Sequence, residues 1–101
     1  MAFNIIAETL KSLDFDLLHK ELYQDNFPFD FIPMEGLGLN NGDALGIAIP
    51  LKNANINTWR LLKPVLERLQ KDFECDVYDL YGGQKLDSTN ISLFRNNFIG
   101  K

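Results

Sequence analysis

Between Ala44 and Phe73 the hydrophobic period of the chain changes once, and that change restricts the fold more than any other feature. Leu45, Ile47, Ile49 and Leu51 alternate with Ala44, Gly46 and Ala48, which is the period of a strand. A face made of Ala and Gly lets a helix approach closely, so the run reads as a central strand. After Pro50-Leu51-Lys52-Asn53 the spacing becomes helical: Trp59, Leu62, Leu66, Leu69 and Phe73 form one stripe, widened by Leu61 and Val65. Asn57 or Thr58 can cap this helix. Pro64 interrupts it, and because the stripe continues past the proline, a bend is expected there and not a break.

The other segments fit around this pair. Leu13, Leu17, Leu18 and Leu22 predict a helix over 15–24 capped by Asp14. Phe3, Ile6 and Leu10, with Ala7 and Glu8, favour helix over 3–11, although Phe3 and Ile5 also suit a strand. Phe27, Phe29 and Phe31 alternate beside Pro28 and Pro33, which places an extended segment at a sheet edge. Asn41-Gly42 predicts a tight hairpin between 37–39 and 44–51. Cys75 and Val77 alternate with Glu74, Asp76 and Tyr78, and Gly82-Gly83 turns the chain back through Gln84 to Leu86. Ile91 to Phe94 reads as a short strand or a helical turn within a docked tail. The expected architecture is α+β: a small, mostly antiparallel sheet with helices packed on one face, as a single domain over residues 1–101. Its predicted core is Leu45, Ile47, Ile49, Leu62, Leu66, Leu69, Cys75 and Val77.

Composition narrows the functions. The net charge is -4, with eight acids and two bases in residues 1–50 against six acids and eight bases in 51–101. Nucleic acid is disfavoured by that sign, and a basic protein partner is favoured. One cysteine excludes an internal disulfide, which fits a reducing cytoplasm. No apolar run reaches the roughly 18 residues of a membrane span, and no targeting segment is recognisable at 1–11.

No stretch carries a catalytic signature. Gly36-Leu37-Gly38 lacks the third glycine of a dinucleotide loop and the Gly-Lys-Ser/Thr ending of a P-loop. His19 lacks an assignable acid partner, and Cys75 falls on the buried side of its strand. Arg60, Lys63, Arg68 and Lys71 intersperse with Glu67 as a solvated helix face. The densest chemistry is the quartet Asp72, Glu74, Asp76 and Asp79, next to Tyr78 and Tyr81. The leading expectation is a non-enzymatic protein-binding module, in the manner of an acidic inhibitor or an immunity or antitoxin partner. It would contact its target through Asp76, Tyr78, Asp79 and Tyr81, without catalytic residues, metal or cofactor. Self-association through the Phe27–Phe31 edge, giving a homodimer, is a second mode of contact. The alternative is a small metal-dependent phosphoester hydrolase in which Asp43, Glu74 and Asp76 hold Mg²⁺.

Overall fold

Phe3, Ile5 and Ala7 are buried, whereas Asn4 is exposed and Ile6 and Glu8 are half-buried. That alternation belongs to a strand, β1 (Ala2–Glu8), and not to the helix expected over 3–11. The computed structural model describes residues 2–80 and 82–100. Helix propensity at Ala7 and Glu8 yields here to pairing on both sides, because β1 is the middle strand of the sheet.

Asp14 accepts a hydrogen bond from the Leu17 N–H and starts α1 (Phe15–Leu22), as its sequence indicated. The chain then forms β2 (Asp30–Met34), β3 (Ala44–Pro50), α2 (Ile56–Lys71), β4 (Asp76–Asp79), β5 (Gln84–Lys85) and α3 (Ile91–Ile99). Strand order is β2-β3-β1-β4-β5 with every pair antiparallel. The first six elements therefore interleave two βαβ units in the split-βαβ arrangement, and β5 and α3 extend it.

Three expectations need correction besides β1. Helix α2 is capped by Asn55 and not by Asn57 or Thr58, the Asn55 side-chain oxygen accepting from the Thr58 N–H at 3.0 Å; it continues unbroken through the exposed Pro64, as its stripe indicated. The strand partnering β3 is 30–34, not 37–39, so Asn41-Gly42 is no two-residue turn. Its loop closes through a short 3-10 turn at 39–41 with Asn40 and Asn41 in the left-handed region. A Cβ on Gly42 would lie 2.2 Å from the Thr9 carbonyl oxygen, so glycine there permits the close approach of two loops. Finally, the chain's own helices do not pack on the Ala44-Gly46-Ala48 face. They lie over Leu45, Ile47 and Ile49, joining Phe3, Ile5, Ala7 and Val77 in one core with Leu18, Leu62, Leu66 and Leu69. Phe94 and Phe98 of α3 close that core against Phe3 and Trp59, with the Phe3 and Phe98 ring centroids 5.2 Å apart.

Candidate functional site

Register assigns the residues of the uncovered sheet face. Ile32, Gly46, Ile6, Tyr78 and Lys85 form its middle row, because each is paired with the next across β2, β3, β1, β4 and β5. Met34, Ala44, Glu8 and Asp76 form the row on one side of it, and Asp30, Ala48 and Asn4 the row on the other. Apolar side chains thus occupy the centre, and carboxylates stand at both ends. Ile32 is 48% exposed, and Ile6, Met34 and Tyr78 are half-buried, although none belongs to the core. Three carboxylates face one ammonium on this surface. Lys85 Nζ lies 3.3 Å from Asp76 Oδ1, a half-exposed pair of small energetic weight.

The residues expected to bind a partner divide. Asp76 and Tyr78 share the uncovered face. Asp79 points to the packed side and is 8% exposed, with its Oδ2 accepting the Gly82 N–H at 3.2 Å. It still borders a shallow hollow of about 190 Å³ with Ile6, Glu8, Tyr78, Leu80 and Gly83. Tyr81 lies outside the described residues. Ile6, Ile32 and Met34 were missed as surface residues. Strand alternation could have exposed Ile32 as the outward neighbour of Phe31, whereas Ile6 was hidden by the helical reading of 3–11.

The three carboxylates of the hydrolase reading have separate attachments. Asp43 is buried between two loops, where Oδ1 accepts the Gly36 N–H at 2.9 Å and Oδ2 accepts the Leu13 N–H at 2.7 Å. Those donors hold its pKa below the ordinary carboxylate value, Gly36 first and Leu13 second. Glu74 precedes β4 in a left-handed conformation and pairs with Lys11, while Asp76 pairs with Lys85. No group of three or more His, Cys, Asp or Glu side chains is assembled as metal ligands among the described residues.

The remaining reactive groups are accounted for by packing. Cys75 is buried, and desolvation, followed by the Asp76 charge, pushes its thiol up to about 11. His19 is exposed on α1 and stacks on Tyr23 at 4.7 Å. No helix among the described residues is long and apolar enough to cross a membrane. In comparisons with known proteins, the chain matches no family model, no curated protein and no solved structure.

Proposed function

We propose that this protein is a non-enzymatic binding module that covers a basic surface of another protein, as an inhibitor or immunity-type partner does. The observation that carries the reading is the uncovered sheet face, where Ile6, Ile32 and Tyr78 lie between Asp30 at one end and Met34, Glu8 and Asp76 at the other. Apolar area gives such a contact affinity, and the carboxylates select a positively charged target and speed its approach.

Both sheet edges favour contact through the face. Pro33 leaves β2 without one backbone donor, and β5 is two residues long and includes Lys85. A second copy stacked face to face would bring like carboxylates together, which favours a different, basic partner. Edge self-association through Phe27–Phe31 has less apolar surface to offer. Phe29 is buried, Phe31 packs 5.1 Å from Tyr23, and Phe27 packs 4.8 Å from Phe29.

Site-specific photocrosslinking in the native cell tests this reading. A photoreactive residue replacing Ile32 or Tyr78 is expected to capture a partner, whereas one replacing the helix-side Leu61 or Leu93 is not. Asp76→Lys with Tyr78→Ala should abolish capture from Ile32, and Asp79→Ala with Tyr81→Ala tests the other two residues expected from the sequence. Equal capture from the helix side, or capture from Ile32 unchanged by all four substitutions, would remove the assignment.

A further inference from the structure

Small residues on β3 separate two ridges of larger ones. On the uncovered face Ala44, Gly46 and Ala48 lie between Asp30, Ile32 and Met34 of β2 and Asn4, Ile6 and Glu8 of β1. Ala44 and Gly46 are themselves buried between these ridges and Ala48 is half-buried, so the trough is shallow: an occupant rests on the ridge side chains, and the small centre lets a rounded element approach closely. The chain's own three helices all lie on the opposite side of the sheet.

We infer that this trough seats one amphipathic helix of the partner, lying along β3 with apolar residues at its centre and Lys or Arg at its ends. The inference rests on the binding-module reading and specifies the element that binds. From Asp30 to Met34 the trough runs about 13 Å at strand rise, the length of roughly nine helical residues. At its middle a helix would meet Ile32 and Ile6, with Tyr78 beyond β1. At one end its cation would meet Asp30, and at the other Glu8 and Asp76. Charge complementarity therefore selects a helix with basic residues at both ends. A strand is the poorer occupant, since the edges that could pair with it are shortened or proline-blocked.

Met34 lies over the trough floor. A Cβ placed on Gly46 would be 3.4 Å from both the Met34 sulfur and the Ile32 Cβ. Thioether side chains repack easily, so Met34 adjusts to the incoming helix instead of barring it. The same distances admit a β carbon at position 46, and the branches of a larger side chain there would reach into the groove.

The test is an NMR titration of the whole protein with synthetic peptides of about fourteen residues, a length that is marginal as a free helix. One carries leucines at helical spacing with flanking lysines. The second replaces each lysine by glutamate, and the third has the first peptide's composition in strict alternation. The helical lysine peptide should bind saturably, shift the amides of Ile6, Ile32, Gly46 and Tyr78, and gain helical circular dichroism on binding. Gly46→Val should weaken it at least tenfold in a variant whose amide spectrum shows the fold intact. Asp30→Lys with Asp76→Lys, two surface changes, should do the same. The inference fails if the alternating peptide binds as tightly, if shifts centre on residues 9–14 and 72–75, or if Gly46→Val and the charge reversals leave affinity unchanged. It also fails if sedimentation shows a dimer that buries this face. Crosslinking from Ile32 combined with no preference for the helical peptide removes the helix alone, whereas helical binding without crosslinking removes the binding-module reading.

Discussion

The two faces of one sheet obey different rules, although alternate residues of the same strands build them. On the packed face Phe3, Ile5, Leu45, Ile47, Ile49 and Val77 are each at most 1% exposed, and three helices cover them. On the other face the same strands carry Ile6, Tyr78 and acids that no helix covers, around a buried Gly46 and a half-buried Ala48. Stability therefore belongs to one set of side chains, and the proposed recognition to the other. An alternation of two residues separates them, so neighbouring positions on a strand should respond to substitution very differently.

Ile5 and Ile6 give the widest contrast. Truncating the buried Ile5 to alanine should cost about 2–5 kcal/mol, as should Leu66→Ala in α2. Ile6→Ala should cost about 1 kcal/mol or less, since the side chain is half-buried and outside the core. Urea unfolding measures all three, and equal losses at Ile5 and Ile6 would dissolve the distinction between the faces. Thiol labelling sharpens it next. Cys75, raised from an ordinary value of 9.0 to about 11, should react about 100-fold more slowly than its ordinary pKa would allow at pH 8. A cysteine replacing Ile32 on the uncovered face should label fast, and comparable rates at the two positions would contradict the burial of Cys75.

Capping of α2 should have a smaller effect. Asn55→Ala removes the oxygen that accepts the Thr58 N–H and should cost about 1 kcal/mol, read from the urea midpoint. The subtlest effect concerns acid. Backbone donors lower the pKa of Asp43, so its stabilisation is complete above the ordinary value of 3.8 and fades as pH falls through the lower folded value. Asp87 behaves in the same direction through the Thr89 hydroxyl and N–H in the turn before α3. The wild-type protein should approach the stability of Asp43→Asn as pH drops below about 4, and a difference independent of pH would contradict the role of that charge.

Much of the packed face was legible because its signals are local. The stripe from Trp59 to Leu69 and the alternation from Leu45 to Ile49 each survive without knowledge of the rest of the chain. The Asp14 cap was equally readable, whereas the edge strand expected over the phenylalanine segment begins only at Asp30 and takes in Phe31 alone of the three. What failed depended on distant partners. Residues 3–8 fit both periods, and pairing with segments 44–50 and 76–79 decides between them. Asn41-Gly42 resembles a tight turn locally, yet Asp43 ties its loop to Leu13 and Gly36, a closure invisible in the dipeptide. For the candidate site, alternation placed Tyr78 and Asp76 together. Which side of β3 received the helices is a matter of chain crossover, and the Ala-Gly face alone did not contain it.

The central position of β1 also governs the order in which the chain can acquire structure. Residues 2–8 pair with a strand some forty positions later and with another about seventy later, so the middle of the sheet closes across long loops. Loop-closure entropy must be met before those pairings return any stability, which points to slower folding than a helical bundle of this size would show. Until segment 76–79 has been synthesised, Phe3 and Ile5 lack a complete sheet around them. A ribosome-bound chain would thus carry its most buried strand as its most exposed one, and that interval is where a chaperone has most to protect.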